Sequence, residues 1–578
     1  MEWITGALWT YSGWFIPPAF VLFAWLYPKL GNRWLQPIEK AATRLSAKKK
    51  LTILVAAVTV VVVRVAILWA MPVPVPAVHD EFAYLLEADT FLHGRLTNPP
   101  HPLSTYFETF HVLQHPTYQA IYPPAQGAVL ALGRLLGHPW IGVLLSAALM
   151  CAAMTWMLQA WVPAPWALLG GILVLLRIVL FTYWVESYWG GALAATGGAL
   201  VLGGFRRLVH HRRPMNAFMM GLGLGLLAVS RPLEGAIFCV PVAIALAAWF
   251  LTLPGEEIWR IGERLVPPLL LAPCVALIFV GYYNHRVTGH ALVFPHLLDQ
   301  RLYEPLSAFV WQRLPPRHAY ANPQFEGFYN GWILSEYHQP WLLLSWNKLV
   351  DWCRFFVGWI LVLPAVALVY VIRDRRTWLP LVVFLWCCAG LLAVVYFEPH
   401  YAAPMWAAFV ILLVQAMRHL RQWKLRGRPL GIFFSRLVIL MLLARAATFT
   451  VEAHRYSWDD WSRSRLRVMK QLESMPGKHV AIVRYAPDHN VHHEWVYNGA
   501  DIDGAKVVWA REIPGMNMTP LLEYFRDRRV WVVEADLVPP KLENYSSSPP
   551  GPSVHFEIRP GGPLLCVSPT RQFFSPSC

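Results

Sequence analysis

Apolar runs of about 20 residues recur along most of this 578-residue chain and constrain its fold more than any other feature. A helix of that length spans the hydrocarbon core of a bilayer, which is about 30 Å thick. Such runs are predicted at 6–27, 51–71, 140–161, 164–183, 190–205, 215–231, 234–253, 265–285, 350–372, 378–397, 401–417 and 430–450. The sequence therefore predicts a polytopic α-helical membrane protein with about twelve transmembrane helices, the first of them retained rather than cleaved as a signal peptide.

The distribution of charge predicts the orientation of these helices. Only 14% of the residues are charged, against about 25% in a typical soluble protein, which excludes a soluble globular fold. Alternate loops hold 21 Lys and Arg residues, and the opposite loops hold seven. By the positive-inside rule the first set faces the cytoplasm and both termini face outward, so the net charge of +15 reflects topology rather than nucleic-acid binding. The basic loops are 28–50, 206–213, 254–264, 373–376 and 418–428.

The segments with unusual polar chemistry all fall on the predicted outer side. They are HDEFAYLLEAD after the second span, YWVESYWGG, SRPLEG, the 286–340 loop and FEPHYAAP. Membrane exits more often carry Trp, Tyr, Lys or Arg, so a cluster of acids there requires another explanation. We expect a functional site at the outer surface of the membrane.

The stretch HDEFAYLLEADTFLHGRLTNPPHP places His79, Asp80 and Glu81 directly after the second span. Within it, DEFAYLLEADTFLHG has helical apolar spacing with Gly94 as its stop, and Asp80, Tyr84 and Glu87 would share one side of that helix. This part is predicted to be an amphipathic helix lying on the membrane surface with one acidic side. A solvated polar face is the alternative interpretation.

Two further outer segments carry groups suited to a phosphate. Arg231 ends the sixth span, where a charge is costly and usually paired or functional. Its planar guanidinium binds phosphate oxygens in pairs, and the alternatives are pairing with Glu234 or snorkelling to the surface. In YFEPHYAAP, Glu398, His400 and Tyr401 place an acid, an imidazole and a phenol beside a turn. An ordinary interfacial hydrogen bond is the alternative role of His400.

Three parts are predicted along the chain. Residues 1–50 hold an extra transmembrane helix and a basic cytoplasmic loop. Residues 51–450 form the transmembrane body, with long outer loops at 72–138 and 286–340. After residue 451, helix patterns alternate with the strand patterns KHVAIVRY, AKVVWARE, RVWVVEADL and VHFEIRP, so 451–578 is predicted to be a small periplasmic α/β domain.

Cysteines and histidines outside the spans leave alternatives open. Cys566 and Cys578 lie in the outward tail, where either a disulfide or two free thiols fit the sequence. His79 with Glu81, and the DHNVHHEW segment at 488–495, contain ligand-type side chains without the spacing of a metal site. No cofactor is predicted, no residue is assigned to a metal, and a divalent metal is left open.

The order of these features resembles that of the GT-C glycosyltransferases: a membrane helix, an outward DE pair on a juxtamembrane helix, and a PP loop into the next helix. The segments that carry the resemblance are HDEFAYLLEADTFLHGRLTNPPHP, YPPAQG and PHYAAP. The resemblance covers residues 51–450. In detail, the chain looks like the bacterial relatives of protein O-mannosyltransferases and of the lipid A aminoarabinose transferase. It implies transfer of a sugar from a polyprenyl-phosphate donor on the outer face.

The resemblance also implies roles for particular residues. Asp80 matches the loop acid that acts as general base on the acceptor, and Glu81 would orient the acceptor or tune Asp80. Arg231 and His400 are our own assignments for the departing phosphate, although relatives commonly have Arg where this chain has His400. Glu186 in YWVESYWGG falls where relatives can carry a second acid. The other predicted substrate contacts are His79, Tyr84, Tyr122, Glu398 and Tyr401.

We therefore predict a glycosyltransferase of the bacterial inner membrane whose site faces the periplasm. Its partners would be a polyprenyl-phosphate sugar, a periplasmic acceptor (protein, lipid or glycan) and membrane lipid, but no nucleic acid. A ligase or polymerase of lipid-linked glycans is one alternative. A polyprenyl-lipid transporter or flippase is another, although the spans show neither paired halves nor internal acids. A non-catalytic receptor or assembly subunit is the third.

Overall fold

The computed structural model describes residues 21–455 and 461–545, and most of this part of the chain is helical. Within it, seven helices are long and apolar enough to cross a membrane: Pro139–Trp161, Ala192–His211, Pro232–Leu251, Gly255–Thr288, Arg375–Ala393, Pro399–Gln422 and Leu430–Val451. Two shorter apolar helices, Ala164–Val179 and Pro214–Ser230, pack against them. The predicted span 6–27 lies largely outside the described residues.

The remaining described elements connect these helices or cover their ends. The other α-helical segments are Asn32–Ala47, Lys49–Ala66, His79–Leu92, Ser104–Phe107, Ala125–Leu135, Tyr183–Glu186, Pro295–Tyr303, Pro323–Phe325, Leu334–Tyr337, Trp341–Trp352, Val362–Ala365, Leu368–Arg373, Trp461–Ser474 and Thr519–Tyr524. Segments Leu175–Val179, Glu326–Ile333 and Cys353–Val357 are π-helical, and Arg375–Thr377 and Pro399–Ala402 are 3₁₀ turns.

The prediction of one continuous helix at 350–372 is wrong. The helix Trp341–Trp352 continues only through the π turn Cys353–Val357 and ends at Gly358, which has a φ of +56°. That left-handed conformation suits glycine and stops the helix. The guanidinium of Arg177 donates to the backbone carbonyl of Arg354 in this turn, so a charge from another helix binds the carbonyls that the break leaves free.

The centre of the transmembrane body is built around the helix Ala403–Gln422, which is buried along most of its length. It packs against Ala192–His211, whose Ala and Gly residues let the two backbones approach closely. By contrast, Gly255–Thr288 and Pro232–Leu251 bury only a minor share of their apolar residues. A helix with such a surface is suited to lie against lipid.

The helix His79–Leu92, called the acidic helix below, covers most of the predicted helix DEFAYLLEADTFLHG and begins one residue before it. Its predicted amphipathic character is wrong, because buried residues occur all around it, Tyr84 and Glu87 among them. The helix Ala125–Leu135 covers one side of the acidic helix and the C-terminal part of the chain covers another. The acidic helix is therefore covered by other parts of the protein, and its position at the membrane surface stays a prediction.

The first outer loop holds a short strand pair, Val112–Leu113 (β1) and Gln119–Ala120 (β2). The C-terminal sheet consists of His479–Arg484 (β3), Val507–Arg511 (β4), Arg529–Glu534 (β5) and Lys541–Asn544 (β6), in the order β4-β3-β5-β6. Strand β3 is parallel to β4 and β5, and β6 is antiparallel to β5. The helix Thr519–Tyr524 lies in the connection from β4 to β5, as expected for a crossover between parallel strands.

This sheet shares an apolar core with the first predicted outer loop. Ala83 and Leu86 of the acidic helix pack in one buried cluster with Val480 and Ile482 of β3. The boundary at residue 451 stays a prediction. The predicted strand VHFEIRP, Cys566 and Cys578 lie outside the described residues.

Candidate functional site

A cavity of about 1030 Å³ lies where the outer-loop segments meet the helix ends opposite the basic loops. The carboxyl side chains in its wall are those of Asp80, Glu81, Glu186, Glu234, Asp299, Glu304, Glu336, Asp351 and Glu398. Among the described residues the guanidinium groups in its wall are those of Arg231 and Arg354. The wall is thus rich in acids, and its positive charge is confined to two positions.

The structure brings most of the predicted site residues to this cavity. Those in its wall are His79, Asp80, Glu81, Tyr122, Glu186, Arg231, Glu398 and Tyr401. Tyr84 lies directly behind Tyr122, with the two rings stacked at 4.4 Å between centroids. His400 also lies behind the wall rather than in it.

Asp80 lies in the first turn of the acidic helix, where the partial positive charge of the helix N-terminus favours a carboxylate. Its Oδ1 accepts a hydrogen bond from the phenol of Tyr122. Burial raises the pKa of Tyr122 well above its usual range, and the nearby Asp80 charge raises it further. The phenol therefore stays protonated and can act as a donor to Asp80 at neutral pH.

Glu81, the neighbour of Asp80, is bound to the backbone. Its Oε2 accepts from the N–H groups of Ala77 at 2.7 Å and Val78 at 3.0 Å, and its Oε1 accepts from that of Tyr188 at 2.9 Å. Burial raises the pKa of Glu81 to about 7 despite these bonds. Glu81 thus holds the start of the acidic helix and joins it to the segment around Tyr188, a role that the sequence reading missed.

Arg231 joins the helices Pro214–Ser230 and Pro232–Leu251 and lies in the cavity wall. Its guanidinium carbon lies 4.5 Å from the centre of the Tyr401 ring, within the range of a cation–π contact. Glu234 is 3.8 Å from an Arg231 nitrogen, which is long for a hydrogen-bonded pair. The guanidinium therefore keeps donor groups that a second anion could use.

The FEPHYAAP segment divides its side chains between the cavity and the interior. Glu398 lines the cavity, and burial, followed by the charge of Asp80, raises its pKa to about 8. His400 is 1% exposed, with its Nδ1 3.0 Å from the Tyr183 phenol oxygen, which also accepts from the His400 backbone N–H at 3.0 Å. Arg231 and Tyr401 are thus brought together at the cavity, whereas His400 is held behind it.

Glu186 lines the cavity but is engaged in a buried ion pair. Arg64 approaches it with both Nε and Nη2, at 2.7 Å and 2.8 Å from the two carboxylate oxygens. Arg64 also donates to the carbonyl of Met71 at 2.8 Å. This bidentate ion pair joins the end of the second predicted span to the YWVESYWGG segment. The sequence gave no sign of the partner, Arg64, other than a charge within an apolar run.

Glu87 joins three helices behind the cavity. Its Oε1 accepts from the phenol of Tyr283 at 2.8 Å, and burial raises its pKa well above the usual range. A Cβ on Gly127 would lie 2.3 Å from the Glu87 Oε2, so no larger residue fits at that position without a shift. The glycine of the YPPAQG segment thus allows the helix Ala125–Leu135 to approach the acidic helix.

His79 is the centre of an aromatic cluster at one end of the cavity. Its Nδ1 lies 2.8 Å from the phenol oxygen of Tyr497, which comes from the C-terminal part of the chain. The rings of His111 and His492 lie 6.0 Å from that of His79, and both side chains line the cavity. His492 and Tyr497 were not assigned to the site from the sequence, because nothing local links them to the acidic helix.

The arrangement of the His, Cys, Asp and Glu side chains also bears on metal binding. Across residues 21–455 and 461–545, no group of three or more His, Cys, Asp or Glu side chains has an arrangement that could hold a metal ion. In the DHNVHHEW segment, His489 instead pairs with Asp536, with 2.6 Å between Nδ1 and Oδ1.

The chain was compared with known proteins. No protein-family model matches it, and no curated protein does. Among solved structures, ArnT from Cupriavidus metallidurans bound to undecaprenyl phosphate is similar at a TM-score of 0.50 and 14% identity, covering 82% of this chain and 92% of that one.

Two further structures have lower scores. The arabinofuranosyltransferase AftD from Mycobacteria has a TM-score of 0.40 and 16% identity, covering 75% of this chain and 29% of its own. The oligosaccharyltransferase AglB from Archaeoglobus fulgidus, in complex with an inhibitory peptide and a dolichol-phosphate, has a TM-score of 0.42 and 11% identity, covering 75% and 62%. The similarity to ArnT extends over most of both chains, and this chain therefore has the GT-C fold of membrane glycosyltransferases.

Proposed function

We propose that this protein is an integral membrane glycosyltransferase that moves a sugar from a polyprenyl-phosphate-linked donor to an acceptor, with Asp80 as general base. The observation that carries the proposal is that Asp80 and Arg231 line the same cavity. Asp80 is bonded to Tyr122 and Arg231 lies against the ring of Tyr401, and both of these phenols line that cavity as well. A base and a cation facing one space are the two groups that such a transfer needs.

The proposed step is a displacement at the anomeric carbon of the donor sugar. The acceptor hydroxyl gives its proton to Asp80 as its oxygen forms a bond to that carbon. The bond from the carbon to the phosphate oxygen breaks, and the polyprenyl phosphate leaves with the electron pair. Arg231 would stabilise the charge that develops on the leaving phosphate, and Tyr122 would hold the Asp80 carboxylate toward the acceptor.

The position of Arg231 also favours a lipid donor. It lies where two helices meet, and the second of these, Pro232–Leu251, has a largely exposed apolar surface. A polyprenyl chain could lie along such a surface while its phosphate reaches the cavity wall. ArnT was solved with undecaprenyl phosphate bound, and this similarity in fold motivates the choice of a polyprenyl carrier for this chain.

The proposed location is the bacterial inner membrane, with the cavity facing the periplasm. The Lys and Arg residues concentrate in the loops at the opposite helix ends, which the positive-inside rule assigns to the cytoplasm. The acceptor would then be a periplasmic protein, lipid or glycan.

Transfer from a panel of radiolabelled polyprenyl-phosphate sugars in proteoliposomes tests the proposal. Wild type should label an acceptor, and Asp80→Asn should lower the rate by about a hundredfold or more, because general bases contribute roughly that amount. Asp527→Asn, at an exposed position of the C-terminal part, is the matched control and should keep full activity. Equal rates in wild type and Asp80→Asn would exclude Asp80 as the base, and lipid movement without transfer would indicate a transporter.

A further inference from the structure

Three histidine side chains from distant parts of the chain line one end of the cavity. They are His79 of the acidic helix, His111 of the first outer loop and His492 of the C-terminal part. The Nε2 of His79 and the Nδ1 of His111 have no hydrogen-bond partner among the described residues, although His79 is only 4% exposed. Since buried polar atoms are normally bonded, unpaired nitrogens in a cavity wall indicate a place for ligand atoms.

These imidazoles are uncharged at neutral pH. Burial lowers the pKa of His79 well below its usual range and that of His492 to about 4. Burial also lowers the pKa of His111, although the charge of Asp80 opposes this effect. A neutral imidazole offers one donor and one acceptor nitrogen, which suits a hydroxyl group rather than a phosphate.

Flat aromatic surfaces accompany the imidazoles. The Phe328 ring lies edge-to-face with His79 at 5.3 Å, and the Trp332 ring lies edge-to-face with His492 at 4.7 Å. Both Phe328 and Trp332 line the cavity. Aromatic faces carry partial negative charge and attract the polarised C–H groups of a sugar ring, while a few polar atoms orient its hydroxyls.

The residues at this end of the cavity adjoin Asp80 rather than Arg231. His79 precedes Asp80 in the same helix turn, and His111 lies 5.9 Å from the ring of Tyr122, which bonds to Asp80. Arg231 instead lies against the ring of Tyr401, at another part of the wall.

The charge of the wall disfavours a phosphate at this end. Its carboxyl groups outnumber its guanidinium groups, and neither Arg231 nor Arg354 contacts the histidine cluster. An anionic acceptor held by the histidines would be repelled by Asp80 and would have no cation in direct contact.

We propose that His79, His111 and His492, with Phe328 and Trp332, form an acceptor subsite that binds an uncharged carbohydrate through its hydroxyls. The assignment to the acceptor rests on the proposed function, because it depends on Asp80 being the base. The C-terminal part of the chain thus contributes directly to acceptor recognition through His492. Tyr497, which bonds to His79, is a positioning residue for the same subsite.

Saturation-transfer NMR on the full chain in nanodiscs tests this subsite without any donor. The probes are the methyl glycosides of glucose, galactose, mannose, arabinose and N-acetylglucosamine, together with glucose 6-phosphate and a serine-containing peptide. Wild type should give signals from at least one uncharged glycoside and none from glucose 6-phosphate. His492→Ala and Trp332→Ala should weaken glycoside binding at least tenfold, and His492→Gln, which keeps a polar side chain, should weaken it less.

His290→Ala is the matched control, because His290 is exposed and outside the cavity wall, and it should bind glycosides like wild type. Unchanged undecaprenyl phosphate binding in each variant shows that the fold is intact. Equal glycoside signals in wild type and His492→Ala, no glycoside signal in wild type, or binding only of the phosphate or the peptide would each overturn the subsite. Failure of the proposed function has a different signature, which is glycoside binding without transfer from any polyprenyl-phosphate sugar.

Discussion

The phenol of Tyr122 donates a hydrogen bond to the carboxylate of Asp80, although the two residues lie 42 positions apart. Asp80 lies in the first turn of the acidic helix, and Tyr122 lies in the Tyr-Pro-Pro turn that precedes the helix Ala125–Leu135. The stack of Tyr122 on Tyr84 fixes the phenol in turn. The proposed base is therefore oriented by groups that move only if two helices move.

Replacing Tyr122 by Phe should slow transfer without removing the base. A hydrogen bond to a charged group contributes about 1.5–3 kcal/mol, so the expected fall in kcat for Tyr122→Phe is tenfold to a hundredfold. The KM for the polyprenyl donor should not change, because Tyr122 is assigned to the acceptor side. Steady-state transfer in proteoliposomes measures both values.

Tyr118→Phe is the control for that experiment. The Tyr118 phenol donates to the carbonyl of Asn498 at 3.0 Å and does not line the cavity. An unchanged kcat in Tyr122→Phe, or an equal loss in Tyr118→Phe, would contradict the orienting role.

Arg231 should control the affinity for the lipid carrier. Arg231→Gln removes the charge beside Tyr401 and should weaken binding of undecaprenyl phosphate by tenfold or more, since charge-assisted hydrogen bonds are worth about 1.5–3 kcal/mol. Arg231→Lys keeps the charge but not the planar fork and should fall between. Tryptophan fluorescence titration with undecaprenyl phosphate gives the dissociation constants. Arg313→Gln, exposed in the 286–340 loop, should bind like wild type, and equal affinity in Arg231→Gln would exclude a phosphate role.

Glu398 should make stability depend on pH. Its pKa is about 8 in the folded protein against an ordinary value of 4.5, mainly because it is buried. Between pH 4.5 and pH 8, Glu398 is therefore protonated in the folded protein but ionised in the unfolded chain. The stability that the protonated carboxyl contributes is fully present below pH 4.5 and is lost as the pH rises through 8.

Glu398→Gln cannot ionise, so its stability relative to wild type should increase from pH 5 to pH 9. Each unit of pKa difference corresponds to about 1.4 kcal/mol, which makes the change measurable as a shift in Tm in detergent. Glu523→Gln, at an exposed position, should show no such trend. A Tm difference between Glu398→Gln and wild type that is the same at both pH values would contradict the prediction.

The contact between Gly127 and Glu87 should tolerate no added methyl group. Gly127→Ala would place its Cβ 2.3 Å from Glu87 Oε2, and overpacking of this kind costs about 1–3 kcal/mol. In Glu87→Ala the same methyl group has room, so Gly127→Ala should cost less in that background than in wild type. Thermal unfolding of the four proteins in this double-mutant cycle measures the coupling, and additive losses would show that the two positions are independent.

Elements with a strong local pattern were predictable from the sequence. KHVAIVRY was predicted as a strand, and β3 lies within it at His479–Arg484. DEFAYLLEADTFLHG was predicted as a helix, and the acidic helix covers most of it at His79–Leu92. Both depend on spacing between near neighbours. The break at Gly358 was missed because the surrounding run is uniformly apolar, and the helix ends there through a backbone conformation and a guanidinium from elsewhere.

The uses of individual polar side chains were less predictable. Asp80 and Glu81 are adjacent acids and both line the cavity, yet Asp80 accepts a hydrogen bond from a phenol, whereas Glu81 accepts hydrogen bonds from backbone N–H groups. One of those groups belongs to Tyr188, more than one hundred residues away. Such pairings depend on how distant segments pack, so periodicity within one helix does not predict them.

The hydrogen bond between His79 and Tyr497 joins positions 418 residues apart, and it has a consequence for the order of events during biosynthesis. At the usual rate of protein synthesis, roughly 20 to 80 s pass between translation of the first residue and translation of the second. During that interval the membrane helices are already emerging while the acidic helix lacks the C-terminal surface that covers it. A nascent chain therefore occupies the bilayer before its cavity is complete, and we expect a chain that stops before Tyr497 to insert without the surface that covers the acidic helix.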